Sequence, residues 1–258
     1  MRTVTIISDW NKGDYYLGAL KGALYSLSSG IRVVNIANSV PSFDVLQEIF
    51  ILKSTFHRFP QNTVHLMGVM SEPSAENPMI ILYHRGHYFI GVNDGRFSLL
   101  FDSLPSICFE INLYRSMEYS SFMALELFVE GVSIILENRF EGSTTASQLK
   151  KEYGLNAVND RDSITGRVIY CDSFGNAITN ISKELFDRVR SGRAFTIYVQ
   201  GPYSKIGEIS RGYNSSNHSE LIALFNSLDL LEIAINQGSV VLSEGVDISS
   251  EVRIKFEN

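Results

Sequence analysis

TIISDWNKGDYYLGALKG, Thr5–Gly22, changes its periodicity halfway along, and that change sets the fold class. Val4, Thr5, Ile6 and Ile7 form a short apolar, β-branched run of the kind found in buried strands. Ser8-Asp9 follows at once, with Asn11 and Gly13 as turn formers. Tyr16, Leu17, Ala19, Leu20, Ala23 and Leu24 then recur at three- and four-residue steps, which predicts an amphipathic helix beginning near Asp14. The stretch therefore reads strand, loop, helix, with Asp9 and Asp14 on the loop. In open α/β sheets ligands bind beyond the carboxyl ends of strands, where both carboxylates fall. Asp is equally at home as a turn residue, for Asp9, or as a helix N-cap, for Asp14. No glycine-rich dinucleotide or P-loop fingerprint follows the strand.

Outward from this unit the pattern repeats. Ile31–Ile36 predicts a second strand, and Asp44 opens a second helix carrying Val45, Leu46, Ile49, Phe50, Leu52 and Phe56. Strand-helix-strand-helix implies parallel pairing. Thr63–Val69 is a third strand, residues 70–78 a loop, Met79–Tyr83 and Tyr88–Gly91 a hairpin, and Asn93-Asp94-Gly95 a sharp turn. An apolar helix is expected over Ser120–Leu136. The polar segment Glu141–Thr165 then breaks the hydrophobic pattern and marks the expected domain boundary. Short strands follow at Gly166–Cys171, Ala194–Val199, Ile206–Ile209, Leu231–Ile235 and Val252–Phe256, as in a small antiparallel barrel. The expected fold is α/β, with a mainly parallel sheet over residues 1–155 and a smaller β barrel over 156–258.

Composition narrows the classes of function. The 258-residue chain, 45% hydrophobic and 11% aromatic, has ample material for packed cores. A net charge of −6 without any Lys/Arg run argues against binding to a nucleic-acid backbone. No apolar run reaches membrane-spanning length, and the N-terminus lacks a secretory h-region, so a cytoplasmic location is expected. Cys108 and Cys171 read as reduced core thiols. The five histidines have no ligand spacing, and no metal site is expected.

Several blocks carry a family resemblance: Ser8-Asp9-x4-Asp14 with Lys21-Gly22, Val40-Pro41-Ser42-Phe43-Asp44, Gly91-Val92-Asn93-Asp94-Gly95, Asp172-Ser173-Phe174-Gly175-Asn176-x2-Thr179-Asn180-Ile181, and Glu232-Ile233-Ala234-Ile235-Asn236-Gln237-Gly238. In this order they resemble the S-adenosylmethionine-dependent adenosyltransferases, which include the hydroxide adenosyltransferases and the fluorinase and chlorinase enzymes. The resemblance implies a Rossmann-like N-terminal domain, a C-terminal β barrel and a homotrimer with sites at subunit interfaces. By matching positions, Asp9 would hold the ribose hydroxyls, and Asp14 with Asp172 the methionine ammonium. Phe43 would cover sugar and base, and Asn176 would read the adenine edge. Ser227 falls in the methionine-carboxylate region, and the backbone around Asn236 would flank adenine. Taken alone, Phe43 reads as core, Gly175-Asn176 as a hairpin turn, and Glu232 as a solvated strand position.

The same resemblance exposes departures. Hydrolytic members use an Asp-Arg-His set, with Asp and Arg on a D-P-G-V-G-T-x-R loop after the third strand. Here that loop runs Met70 to Asn77, so Asp has become Met70 and Arg has become Asn77. The stretch 114–121, where the His would stand, contains none. Leu228 replaces the halogenases' carboxylate-binding Arg. Three outcomes fit: an enzyme, either an S-adenosylmethionine hydrolase in which Glu72, Glu76, Glu118 or Arg115 has taken over the vacated roles or one using a halide-like nucleophile that needs no base; a protein that binds S-adenosylmethionine or adenosine without turning it over; or an interaction protein that keeps only the trimer scaffold.

Overall fold

The computed structural model describes every residue except Lys12, Asp102, Ser106, Ile107, Met117, Tyr119, residues 152–155 and Asn258. It forms two compact units, residues 1–154 and 155–258. The boundary expected at 155 falls outside the described residues, as do Met117 and Tyr119 of the stretch where a His was sought.

The first unit is built on β1 (Arg2–Ser8), in which Val4, Thr5, Ile6, Ile7 and Ser8 are all fully buried. β1 pairs in parallel with β2 (Ile31–Ala37) on one side and β3 (Val64–Gly68) on the other. β3 continues in parallel to β5 (His87–Val92). β4 (Met79–His84), β6 (Cys108–Ile111) and β7 (Thr144–Ser147) extend the sheet antiparallel, in the order β2-β1-β3-β5-β4-β6-β7. The sheet is thus parallel across the half that contains β1.

Helices cover both faces. Leu20 and Leu24 of α1 (Tyr16–Leu27) and Leu127 and Phe128 of α4 (Met123–Glu137) pack on Val4, Ile6 and Leu66. Ile49 and Leu52 of α2 (Val45–Thr55) and Phe97 and Leu100 of α3 (Arg96–Leu100) pack with Met67, Ile80 and Phe89 on the other side. Each of these buried apolar side chains contributes roughly 1.5–3 kcal/mol. A single turn, α5 (Phe140–Ser143), leads into β7. α1 begins at Tyr16 behind Tyr15, which makes no side-chain cap, so Asp14 is not the N-cap. α2 begins where expected, because the Asp44 carboxylate accepts from Gln47 N at 2.9 Å.

The second unit is an antiparallel, nearly closed, barrel-like sheet. Its strands are β8 (Val158–Asn159), β9 (Ser163–Cys171), β10 (Ala177–Ser182), β11 (Phe195–Val199), β12 (Ser204–Ile206), β13 (Leu221–Phe225), β14 (Leu230–Ile235) and β15 (Glu251–Phe256). They run β12-β11-β15-β9-β10-β14-β13, with β8 on β9. Ser210 N donates to Ala223 O at 2.7 Å, tying the segment after β12 to β13. Val252, Ile254 and Phe256 alternate inward on β15 and join Ile164, Ile197 and Ile233 in one core. α6 (Lys183–Arg190) is capped by Ser182, and α7 (Val240–Glu244) by Ser239. β10, β13, α6 and α7 extend the expected pattern. β10 escapes an alternation search because polar Thr179 is fully buried and its hydroxyl donates to Leu231 O at 2.9 Å.

Candidate functional site

The carboxyl end of β1 brings three of the expected residues together. Asp9 Oδ2 accepts from Phe43 N at 3.0 Å and from Met70 N at 3.4 Å. One oxygen thus gathers the loop before α2 and the loop after β3. Among the described residues no hydrogen bond reaches Asp9 Oδ1. Both donors are non-glycine residues with positive φ, +68° at Phe43 and +45° at Met70. Such conformations cost an L-residue roughly 1–2 kcal/mol and collect at ligand sites. The core alternative for Phe43 is excluded, since Phe43 is 73% and Met70 53% exposed. Apolar surface therefore borders a half-buried carboxylate. At Gly68, just before the loop, a Cβ would lie 3.0 Å from Ile7 O and Ser8 Cβ, so a side chain there would have to push those atoms aside.

Trp10 turns inward beside Asp9 and meets Phe122 edge-on at 5.1 Å, with Tyr16 4.8 Å from the same ring. This aromatic cluster fastens the β1–α1 loop to the start of α4. Asp14 lies exposed on that loop.

Under the Met70 loop lies a cluster for which the sequence offers no local signal. Glu48 and Arg96 have fully buried side chains joined at 2.9 Å. Arg96 also donates to Val69 O at 2.9 Å and Met70 O at 3.2 Å, and grips Asp94 through Nε and Nη2 at 2.9 and 2.8 Å. Glu48 Oε1 accepts from Val69 N at 2.9 Å. Burial lifts the Glu48 carboxyl to about 7, against the pull of Arg96 and the Val69 amide. Burial also acts to raise Asp94, but its bonds to Arg96 outweigh that and hold it below the ordinary carboxylate range.

The loop residues where the resemblance would place catalytic groups have partners of their own. Asn77 Oδ1 accepts from Lys150 Nζ at 2.6 Å, while Glu76 stands 3.8 Å from the same ammonium. Partial desolvation raises the carboxyl of exposed Glu72. Arg115 pairs with Glu110 at 3.1 Å, and Glu118 is exposed. No hydrogen bond links Glu72, Glu76 or Glu118 to the Asp9 group among the described residues.

The second unit assembles another expected pair at the β9–β10 hairpin. Asp172 Oδ1 accepts from Phe174 N and Asn176 N, both at 2.9 Å, and Oδ2 accepts from Asn176 Nδ2 at 3.0 Å. Gly175 has φ +79°, and a Cβ there would fall 2.0 Å from Ser239 Oγ. The hairpin reading is therefore correct as geometry; among the described residues no hydrogen bond reaches Asn176 Oδ1, and Phe174 projects 77% exposed. Ser227 is exposed on the turn between β13 and β14, where Asn226 Oδ1 accepts from Leu228 N at 2.9 Å. Asn236 is buried and donates to Ser216 O at 2.8 Å. Glu232 is not a solvated strand position: it is buried, taking hydrogen bonds from Tyr213 Oη and, at 3.1 Å, from Asn226 Nδ2.

Two histidines far apart in sequence also meet. His65 Nε2 lies 3.2 Å from His87 Nδ1, and His65 Nδ1 lies 2.7 Å from Thr5 Oγ1, all buried. Among the described residues no three His, Cys, Asp or Glu side chains come together as a metal-binding group, and no helix is long and apolar enough to cross a membrane.

A carboxylate clamped at the end of β1, bordered by exposed apolar side chains, in a chain that also carries an antiparallel barrel unit, gives an α/β protein with a candidate small-molecule site at its strand ends. The chain belongs to the SAM hydroxide adenosyltransferase family. Residues 4–141 match that family's N-terminal domain and residues 166–253 its C-terminal domain. It is 24% identical to the (R)-S-adenosyl-L-methionine hydrolase of Methanocaldococcus jannaschii over 98% of this chain and 95% of that one. Its fold is similar to that of an uncharacterized conserved protein from Thermotoga maritima, with TM-score 0.82 and 21% identity, covering 99% of this chain and all of the other. A conserved hypothetical protein from Thermus thermophilus is similar at TM-score 0.73 and 22% identity, covering 98% of this chain and all of its own.

Proposed function

We propose that this chain hydrolyses S-adenosylmethionine to adenosine and methionine in the cytoplasm, residues 1–155 forming a Rossmann-like domain and 156–258 a barrel domain. The observation that carries the reading is Asp9, whose Oδ2 is held by two amides while Oδ1 is left for a ligand. A carboxylate oxygen suits a vicinal diol, from which it accepts short, charge-assisted hydrogen bonds. Phe43 and Met70 flank it with apolar surface suited to sugar and base. Asp14 and Asp172 supply negative charge for the methionine ammonium, Asn176 Oδ1 an acceptor for the adenine amino group, and Ser227 a hydroxyl for the methionine carboxylate. Asn236 anchors the loop beside the base. The family resemblance supports a homotrimer with the sites at subunit interfaces.

In the reaction, water oxygen bonds to C5′ as the C5′–S bond breaks. The electron pair of that bond stays on sulfur, so methionine leaves as a neutral thioether. The water proton passes to a base or to solvent. Because the sulfonium is already an activated leaving group, the protein's task is to place water in line and exclude competing solvent. Glu72, with its raised carboxyl, is our first candidate to receive the proton, followed by Glu76 and Glu118.

Met70 and Asn77 favour a second reading, in which the chain binds S-adenosylmethionine or adenosine without turnover, since a thioether cannot activate water. Incubating the protein with S-adenosylmethionine and following both products by chromatography decides between them. Equal adenosine and methionine, absent with Asp9→Ala, support hydrolysis. No product, with a ligand-induced rise in thermal midpoint, supports the binding reading. Neither product nor stabilisation overturns both.

A further inference from the structure

We propose that Glu48, Arg96 and Asp94 are positioning residues of the Asp9 site, holding its two walls in one geometry; the inference rests on the reading of Asp9 as a ligand-binding carboxylate. Glu48 stands one turn into α2, the helix whose first residues follow Phe43, and its N–H donates to Asp44 O at 3.2 Å. Its carboxylate reaches across to Val69 N on the β3 side. The side chain thus ties the Phe43 wall to the Met70 wall.

Arg96 completes the tie. Its guanidinium holds the carbonyls of both Val69 and Met70, while Glu48 holds the Val69 amide. These bonds fix the peptides on either side of Met70 and keep it at positive φ, with its amide directed at Asp9. Asp94 fixes the guanidinium in turn with two side-chain bonds, and accepts from Arg96 N at 3.1 Å. A planar fork that serves two carbonyls and two carboxylates at once cannot be replaced by an ammonium. Neither Glu48 nor Arg96 is exposed, so both act through the backbone, not on ligand.

A buried ionic cluster is poor evidence of stabilisation, because desolvation offsets much of its attraction. What this one provides is a single orientation for a strained loop. The charged groups acting on Glu48 are Arg96 and Asp94, from α3 and the turn before it, and Asp9 from the end of β1. Loss of the Glu48 charge loosens the tie, so ligand affinity should follow its ionisation.

The test is calorimetric titration of adenosine, a neutral probe, into wild type, D9N, E48Q and R96K at pH 6 and pH 8, with circular dichroism of each. Adenosine binding that vanishes in D9N establishes the site. The positioning role then requires E48Q and R96K to bind about tenfold more weakly, the size of one lost charge-assisted hydrogen bond. It also requires wild-type affinity to be higher at pH 8 than at pH 6, a difference that E48Q abolishes. Wild-type affinity in E48Q and R96K, or a wild-type affinity equal at the two pH values, overturns the inference and leaves the site intact. Unchanged binding in D9N overturns the site reading itself. Should E48Q and R96K not fold, D94N, which frees the same guanidinium from its partly exposed carboxylate, takes their place: binding about tenfold weaker supports the positioning role and wild-type affinity overturns it.

Discussion

Acid should unfold the first unit through His65. Its ring is fully buried, stacked on Phe89 at 5.0 Å, and faces His87 at 3.2 Å. Burial, then the neighbouring His87, lowers its pKa from 6.5 to about 3. A base with a depressed folded pKa binds its proton more readily when unfolded. Its neutral form therefore supports the fold fully above the unfolded value of 6.5, and the support declines as pH falls from 6.5 towards 3. Each pH unit in that window is worth a little over 1 kcal/mol, so at pH 4.5 the loss is about 2–3 kcal/mol. Glu48 works in the opposite sense: its raised carboxyl gains stability as pH falls through about 7. Comparing wild type with His65→Gln cancels that contribution. Urea unfolding followed through the fluorescence of Trp10, the single tryptophan, reports on this unit. Between pH 7 and pH 4.5 wild type should lose about 2–3 kcal/mol more than the variant. Equal losses in the two proteins would refute the assignment.

Other perturbations separate stability from binding. Met70→Gly removes the positive-φ strain and should stabilise the protein by about 1 kcal/mol while weakening adenosine binding, as read by thermal midpoint and calorimetry. Gly175→Ala forces a side chain onto Ser239 at a left-handed position and should cost about 1–3 kcal/mol in urea unfolding. Asp172→Ala removes three hydrogen bonds that hold the hairpin, and a destabilisation of about 2–3 kcal/mol should appear in ligand-free protein.

The legibility of this chain is uneven for physical reasons. β1, α1, β2 and α2 announce themselves because buried strands and amphipathic helices have local periodicities, and Asp9 stands out because it follows such a strand directly. Phe43 and Met70 are placed by resemblance alone, since nothing local reveals that an aromatic and a thioether residue will project into solvent at positive φ. Glu48 and Arg96 are separated by 48 residues and His65 and His87 by 22, so each pair meets only after the sheet has formed. In sequence, Glu48 is merely a charge that interrupts an apolar helix, and Arg96 merely follows a turn. Glu232 alternates as a surface residue would, and only its partners Tyr213 and Asn226 show that it is buried. β7 is invisible in the sequence because three small polar residues and one alanine at a sheet edge carry no hydrophobic signal.

β15 comes last among the strands, yet it lies inside its sheet, paired with β11 on one side and β9 on the other. During synthesis, residues 163–199 must therefore wait with two unpaired edges until residues 251–256 have left the ribosome. Exposed edges recruit other chains, and distant pairing is slow. Chaperone demand and aggregation during expression should accordingly concentrate on the barrel unit, and a premature stop before Glu251 should leave the first unit folded beside an insoluble remainder.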